Sequence, residues 1–180
     1  VACLVGSEMC IRDRPEAKVT ALDFSSEMLE LAHQQQSENA HGLNYIRGDA
    51  MAPPFPKEYF EAVTVGYGLR NVADLSACIK NILSLLKPSG VLVCLDVGKV
   101  NIPVIAQLNR FYFFKIVPLI GKWLMPGQEM FDYLPHSSIN YPDQKKLKKI
   151  LLEEGFQKVD VYDFVFGAST IHVAQKPASS

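Results

Sequence analysis

The sequence predicts an α/β fold in which strands and helices alternate around a mainly parallel sheet, and two observations lead to this prediction. First, short apolar runs rich in strand-forming residues, such as KVTALDF and VLVCLDV, alternate with segments of helical periodicity. Second, these runs are apolar on both faces, which is typical of strands that lie buried within a parallel sheet. The last two strands, VDVYDFVFG and ASTIHVAQK, flank a tight turn at Gly167 and are expected to pair antiparallel.

The elements follow one another in a regular order. The first clear strand is KVTALDF, and capping serines open the helix SSEMLELAHQQQSENA after it. The next two strands are LNYIRGD and FEAVTVGYG, and the helix that follows, DLSACIKNILSLLKPSG, is expected to stop at Pro88 and Gly90. After the strand VLVCLDV and a long apolar helical region, the amphipathic helix YPDQKKLKKILLEEGF has Asp143 at its front and Gly155 at its end.

Composition limits the functional classes. The chain has 180 residues, which is enough for one domain, and 48% of them are hydrophobic. Its formal net charge of -1 does not provide the basic surplus that nucleic-acid binding requires. The four cysteines and four histidines show no metal-ligand spacing, so we expect free thiols, no metal site and a cytoplasmic location.

One apolar stretch, RFYFFKIVPLIGKWLM at residues 110–125, allows two interpretations. It is shorter than the roughly 20 apolar residues of a membrane-spanning helix, and it contains two lysines and a proline. It could form a pair of buried helices broken at Pro118 and Gly121. Alternatively, it could lie at a membrane surface, with Trp123 and the lysines at the lipid headgroups.

Polar residues at strand ends form the candidate site, because ligands of parallel sheets bind beyond the carboxyl ends of the strands. Asp23 ends the first clear strand, where a carboxylate can accept hydrogen bonds from both hydroxyls of a ribose. The alternative is that Asp23 caps the following helix. After the next strand, Asp49 and Ala50 could contact an adenine, or they could simply form a Gly-Asp turn.

The third strand is followed by GYGLRNVAD, which places Arg70 and Asn71 at the mouth of the sheet. The forked donors of an arginine at this position could bind a developing oxyanion. The alternative is an ion pair with Asp74 or Asp96.

Several of these segments carry a resemblance to a known family. The central block VTVGYGLRNVADLSACIKNILSLLKPSGVLVCLDV resembles that of the C-methyltransferases of quinone biosynthesis, namely demethylmenaquinone methyltransferase and 2-methoxy-6-polyprenyl-1,4-benzoquinol methylase. The segments ALDFSSEMLELA, GDAMAPPFPKEYFEAVT and FDYLPHSSINYPDQ are similar to other blocks of this family. The resemblance extends from about Val19 to Lys176, and its GLRNVxD and YLxxSI motifs are specific to the family.

The resemblance implies a class I, Rossmann-like methyltransferase fold and S-adenosylmethionine-dependent C-methylation of a polyprenylated quinol. It further implies three groups of site residues. The residues expected to bind the cofactor are Asp23, Phe24, Met28, Asp49, Ala50 and Gly66. The expected catalytic residues are Arg70 and Asn71, which hold the ring oxygen as it becomes phenolate-like. The expected substrate-binding residues are Tyr133, Ser138 and His172, although His172 could instead be a strand histidine whose hydrogen bonds are satisfied in the core.

The isoprenoid tail of such a substrate gives residues 110–125 a use as a tunnel or as a membrane-touching surface. The expected partners are therefore a polyprenyl quinol, the inner face of the membrane and a second copy of the chain in a homodimer. A benzoquinol and a naphthoquinol fit equally well at this point. A class I methyltransferase for another lipophilic phenol and a non-catalytic relative are the alternative functions.

The front of the chain departs from the family. LVGSEMCIRDR, from Leu4 to Arg14, stands where the family has a first strand and a glycine-rich loop, and it resembles a peptide that recurs at the ends of assembled environmental sequences. We therefore expect a foreign segment at 1–14, a partial methyltransferase domain at 15–176 and a loose tail at 177–180. Because only glycine lets the backbone approach the methionine end of the cofactor, the chain as written is expected to bind cofactor weakly.

Overall fold

The computed structural model describes residues 18–34, 43–100 and 141–178, together with the single positions 102, 107, 111, 112 and 116. Predictions for residues 1–14, for most of 110–125, and for Tyr133 and Ser138 lie outside these described residues. Within them, six strands and three helices follow in the order β1, α1, β2, β3, α2, β4, α3, β5 and β6. Their bounds are β1 Val19–Asp23, α1 Ser26–Gln34, β2 Leu43–Arg47, β3 Phe60–Gly66, α2 Leu75–Leu85, β4 Leu86–Val97, α3 Gln144–Glu153, β5 Lys158–Phe164 and β6 Ser169–Gln175.

The described strands form two sheets. One consists of β1 and β2 in parallel, and the other has the order β3-β4-β6-β5. β3 and β4 are parallel, whereas β6 pairs antiparallel with both β4 and β5. The α/β class and the antiparallel C-terminal pair are thus confirmed, and this terminal pair makes the larger sheet mixed. Among the described strands, β1 and β3 each have a partner on one side only.

The main hydrophobic core lies between the four-stranded sheet and the helices α2 and α3. Residues Leu92 and Ala174 of the sheet are fully buried, as are Ile79 of α2 and Leu147 and Leu151 of α3. Burial of a leucine or isoleucine side chain contributes about 1.5–3 kcal/mol, so this core supplies most of the packing free energy of the described part. A second, smaller core between β1 and β2 contains Val19, Ala21 and Leu43.

The junction between α2 and β4 differs from the sequence prediction. The helix ends at Leu85, and the strand starts at Leu86, so Pro88 lies inside a strand rather than stopping a helix. The pairing of β3 with β4 is shifted between Phe60 and Ala62, and Ser89 has a φ of 61°. A bulge accounts for this arrangement, because it leaves residues without ladder hydrogen bonds, and a proline has no amide hydrogen to contribute.

The boundaries of α3 agree with the prediction. The Asp143 carboxylate accepts a hydrogen bond from the Lys146 amide at 2.8 Å, which caps the amino end of the helix. Gly155 follows the carboxyl end with a φ of +111°, a conformation that favours glycine. Among the described residues, no helix is long and apolar enough to cross a membrane.

Candidate functional site

Asp23 lies at the carboxyl end of β1, and one of its two carboxylate oxygens is engaged locally. Oδ1 accepts a hydrogen bond from the Ser25 amide at 2.7 Å. The Ser25 hydroxyl, and not Asp23, accepts the Met28 amide at 3.3 Å at the start of α1. Asp23 therefore forms a short turn rather than the helix cap considered as the alternative. Its Oδ2 has no hydrogen-bond partner within the described part of the chain.

The loop after β2 brings Asp49 to the same edge of the small sheet. The Gly48 amide donates to the Asp23 carbonyl at 3.0 Å, and this bond ties the end of β2 to the end of β1. A Cβ atom at Gly48 would lie only 2.7 Å from Leu22 Cδ1, so a side chain there would require Leu22 to move. Asp49 Oδ1 accepts the Met51 amide at 2.8 Å, which leaves its second oxygen without a partner among the described residues.

The same loop is anchored on α2. Asn81 Nδ2 donates to the Met51 carbonyl at 2.6 Å, and the Cys78 thiol lies 3.9 Å from the Ala50 carbonyl. Burial, together with the nearby carboxylates of Asp49 and Asp74, raises the pKa of Cys78 to about 11. These contacts hold the loop that contains Asp49 against α2. This helix begins at Leu75, shortly after the turn that carries Arg70.

Three other predicted cofactor residues lie near these carboxylates or at the end of β3. Phe24 and Met28 are exposed, by 71% and 47%, immediately after Asp23 and in the first turn of α1. Gly66 is the last residue of β3 and pairs with Leu95 of β4. Exposure of large apolar side chains beside a carboxylate with a free oxygen suits contact with a ligand.

Arg70 and Asn71 belong to a 3₁₀ turn, Leu69–Asn71, directly beyond β3. Arg70 Nη1 lies 3.3 Å from Asp96 Oδ1, and the two side chains are only 7% and 1% exposed. The ion pair with Asp96 that the sequence left open is therefore present. Asp74 instead caps α2 by accepting the Ala77 amide at 3.0 Å. Arg70 Nε has no hydrogen-bond partner among the described residues, so the guanidinium keeps a donor.

Tyr67 is a candidate site residue that the sequence analysis missed. Its φ of 56° is unusual for a residue other than glycine, and such strain concentrates at functional sites. The Arg70 guanidinium carbon lies 5.3 Å from the centre of the Tyr67 ring, and Asn71 Nδ2 is 3.5 Å from the Tyr67 carbonyl. A tyrosine between two glycines at the end of a strand was the available signal, because that context permits an unusual backbone conformation.

Asp96 is the centre of a buried polar group at the end of β4. Its Oδ1 accepts the Val97 amide at 2.8 Å in addition to contacting Arg70, while its Oδ2 lacks a partner among the described residues. Burial raises the pKa of this carboxyl, although the hydrogen bond from Val97 and the charge of Arg70 oppose the increase. Thr170 lies directly opposite on β6, and its buried hydroxyl also has no partner in the described part.

His172 lies in the core of the larger sheet. The side chain is 1% exposed, and Nε2 lies 3.1 Å from the Gln144 carbonyl at the start of α3. Because the carbonyl can only accept, Nε2 carries the proton and Nδ1 is an acceptor. Burial lowers the pKa of the ring, so the neutral form is favoured. These contacts favour a strand histidine of the core over a residue that lines an open substrate pocket.

The described cysteines are structural. Cys78 and Cys94 are free and buried, and the Cys94 thiol is 3.9 Å from the Tyr141 hydroxyl. Burial raises the pKa of Cys94 to about 12 and raises that of Tyr141 further above its usual range. All three groups therefore keep their protons at neutral pH, which makes the thiols unreactive.

Comparison with known proteins identifies the family. The sequence model of the ubiE/COQ5 methyltransferase family matches residues 5–176. The chain belongs to the ubiE/COQ5 methyltransferase family. The resemblance predicted from the strand-end motifs is thus confirmed. The matched range includes part of the segment expected to be foreign, whose origin stays a prediction.

Two relatives that the chain matches are both named demethylmenaquinone methyltransferase. The demethylmenaquinone methyltransferase of Leptospira interrogans is 48% identical over 164 residues, which are 89% of this chain and 66% of the relative. The demethylmenaquinone methyltransferase of Staphylococcus haemolyticus is 36% identical over 163 residues, which are 91% of this chain and 68% of the relative. The chain therefore spans about two thirds of the length of these curated relatives.

Solved structures agree on the fold. An S-adenosylmethionine-dependent methyltransferase from Thermotoga maritima matches with a TM-score of 0.63 at 16% identity, covering 88% of this chain and 72% of that one. The S-adenosylmethionine-dependent methyltransferase SibL matches with a TM-score of 0.71 at 16% identity, covering 96% of this chain and 47% of that one. Because the identity is low, these matches are evidence for the fold alone, and this fold is the Rossmann-like fold of methyltransferases.

Proposed function

We propose that this chain belongs to an S-adenosylmethionine-dependent enzyme that methylates a ring carbon of a polyprenylated naphthoquinol. The observation that carries the proposal is the pair of carboxylates at the ends of β1 and β2. Asp23 and Asp49 each use one oxygen for a local turn and keep the other free among the described residues. The names of the relatives, which are demethylmenaquinone methyltransferases, favour a naphthoquinol over a benzoquinol.

The residues present fit the cofactor. Asp23 Oδ2 can accept from the ribose hydroxyls, and Asp49 with Ala50 can pair with the adenine edge. Phe24, Met28 and Gly66 complete the proposed cofactor set listed from the sequence. When bound, the cofactor supplies a methyl group that its sulfonium already activates, so the protein mainly has to orient the reactants and exclude water.

The substrate side of the site centres on Arg70 and Asn71. Methylation of a ring carbon becomes faster when a neighbouring ring hydroxyl gives up its proton, because the oxygen then pushes electron density into the ring. Arg70 retains a buried donor that can stabilise this oxygen, and the Asn71 amide can orient it. Tyr133 and Ser138 remain proposed parts of the quinol pocket, whereas His172 is proposed to support the pocket wall from the core.

The remaining functional assignments belong to the same proposal. The isoprenoid tail would occupy the region of residues 110–125, which would bring the enzyme to the membrane surface from the cytoplasmic side. Pairing of two copies into a homodimer is part of this proposal as well. Support for the membrane contact comes from the apolar composition of the segment and from the lipophilic substrate class.

The first prediction tests the two carboxylates by calorimetric titration with S-adenosylhomocysteine. We expect Asp23→Asn and Asp49→Asn each to weaken binding by roughly tenfold or more, because each loses charge-assisted hydrogen bonds. The matched control is Asp160→Asn, a half-buried aspartate of β5 that is ion-paired with Lys158 and whose loss should leave binding unchanged.

The titration is carried out on the chain as given and on a version that carries a family-like strand and glycine loop in front of Pro15. We expect weak binding by the first and tight binding by the second, because a strand can pair with the free sides of β1 and β3. Absence of binding by a folded extended version would contradict the proposed function.

A further inference from the structure

The proposed reaction needs a group that takes a proton, and neither Arg70 nor Asn71 can serve. An arginine side chain is always protonated in proteins, and an amide is not a base at neutral pH. Both residues can donate hydrogen bonds to the ring oxygen and stabilise its negative charge, but the proton itself has to pass to another group. This inference rests on the proposed function, since the proton in question is that of the quinol hydroxyl.

Among the described residues, Asp96 is a carboxylate beside Arg70 that has an unpaired oxygen. Asp96 uses Oδ1 for Arg70 and for the Val97 amide, and its Oδ2 is buried with no partner in the part of the chain that the structure describes. Leaving a buried charged acceptor unsatisfied is costly, so the site favours a ligand that brings a donor. Arg70 Nε needs an acceptor for the same reason. A phenolic hydroxyl provides both a donor and an acceptor.

The other ionisable groups that the structure describes near this position are unsuitable. Burial raises the pKa of Cys94 and of Tyr141, so both already hold a proton and cannot accept another. The His172 ring bonds to the backbone of α3 and lies in the core. The Asp74 carboxylate is committed to the first turn of α2.

We propose that Asp96 accepts the proton of the ring hydroxyl in the methylation reaction. The oxygen–hydrogen bond of the quinol breaks, its electron pair stays on the ring oxygen, and the proton forms a bond with Asp96 Oδ2. The Arg70 guanidinium balances the negative charge that moves from the carboxylate to the ring oxygen. Asp96 is therefore a catalytic residue in this proposal. Arg70 is the cation that contacts its carboxylate and would also stabilise the ring oxygen.

The raised pKa of Asp96 suits this role, because a base becomes more effective as its affinity for the proton increases. Burial is the main cause of the raised pKa, and the ionisable groups described nearby are Arg70 in the 3₁₀ turn, Cys94 on the same strand and Tyr141 in the segment before α3. Since Cys94 and Tyr141 stay neutral, Arg70 is the charged group among these neighbours, and its charge opposes the increase.

The test begins with binding rather than turnover. In the extended version of the chain, the affinity for 1-naphthol is compared with that for 1-methoxynaphthalene, which has no hydroxyl proton to donate. We expect the protein to prefer the naphthol by about tenfold, since a hydrogen bond to a charged group is at stake. Asp96→Asn should abolish this preference, and the control Asp160→Asn should retain it.

Turnover of a short-chain naphthoquinol provides the second measurement. Asp96→Asn should lower kcat at least 100-fold with little change in binding of S-adenosylhomocysteine, and Asp96→Glu should recover part of the loss. The kcat of the unaltered protein should fall as the pH is lowered through the raised pKa of Asp96, because the base becomes protonated. Circular dichroism verifies that each variant is folded, and Asp96→Glu keeps the charge if Asp96→Asn does not fold.

The outcomes separate the two proposals. Unchanged naphthol preference and unchanged kcat in a folded Asp96→Asn variant would overturn the role of Asp96 and leave the methyltransferase proposal intact. The role would also be overturned if Asp96→Glu bound S-adenosylhomocysteine normally and yet showed no naphthol preference and no turnover. Failure of the unaltered extended protein to bind S-adenosylhomocysteine would instead contradict the proposed function itself.

Discussion

Protonation of a single residue, His172, links the stability of the fold to pH. The native ring is neutral, and burial holds its pKa below the usual value of about 6.5, with Lys148 lowering it further and Asp163 opposing. The unfolded chain therefore takes up a proton first as the pH falls. The contribution of His172 to stability is fully present above pH about 6.5 and is lost as the pH falls towards the native pKa.

We expect His172→Gln to remove this dependence, because glutamine is not titratable and can still donate to the Gln144 carbonyl. Urea denaturation between pH 7.5 and 5 measures the free energy of unfolding. One extra proton bound by the unfolded state lowers this free energy by up to about 1.4 kcal/mol per pH unit. The free energy should therefore decline less steeply with falling pH in the variant. The control is His33→Gln, an exposed histidine of α1, which should retain the slope of the unaltered chain. Equal slopes for all three proteins would refute the assignment.

At the same scale, the sequence predicted which residues stand at strand ends but not all of their contacts. Asp23 and Asp49 could be placed because a strand followed by an acid is a local pattern. For Arg70, the sequence did not decide between Asp74 and Asp96 as an ion-pair partner. Only the fold shows that Asp96, 26 positions away, is the partner. The sequence analysis did not predict the left-handed backbone of Tyr67, although its position between two glycines was a signal; its amide donates to the Leu95 carbonyl, a contact that only the folded sheet provides.

At the scale of elements, α3 is attached to the sheet by the polar contacts of its first residue as well as by its buried leucines. Gln144 Nε2 donates to the carbonyls of Lys99 and Gly167, at 3.0 and 3.1 Å, and Oε1 accepts the Lys99 amide at 3.1 Å. The side chain thus joins the amino end of α3 to the segment after β4 and to the turn between β5 and β6. The amphipathic pattern predicted the helix and its cap, but these three distant contacts leave no trace in local sequence.

We expect Gln144→Ala to lower the free energy of unfolding by about 2–4 kcal/mol, because it leaves several buried backbone groups without partners. The matched control is Lys145→Ala at the next position, which is exposed and should change stability by less than about 0.5 kcal/mol. Both values come from urea denaturation at pH 7.5. A loss of similar size in both variants would show that the helix, and not the side-chain network, is responsible.

At the scale of the whole molecule, the buried hydrophobic residues that the structure describes are unevenly distributed between the two sheets. Among the described residues, the four-stranded sheet packs against α2 and α3 around a core of sixteen buried residues, whereas the core between β1 and β2 has three. Two-stranded sheets are marginally stable on their own. The sequence predicted all six described strands, yet it could not show this imbalance, because the apolar run of β1 resembles that of β4 in composition.

The imbalance leads to a prediction about hydrogen exchange. Amides of β1 and β2 should exchange through local opening at much lower free energy than amides of β4 and β6, which should open only with global unfolding. S-adenosylhomocysteine should slow exchange in β1 and β2 in particular, because ligand that binds only the closed state stabilises the elements that hold it, here through Asp23 and Asp49. Native-state exchange followed by mass spectrometry on the extended chain, with and without ligand, measures both effects.

Uniform protection of both sheets without ligand would contradict the first expectation. Ligand-induced protection in Asp23→Asn equal to that in the unaltered protein would contradict the second, since the carboxylate would then contribute nothing to holding the small sheet closed.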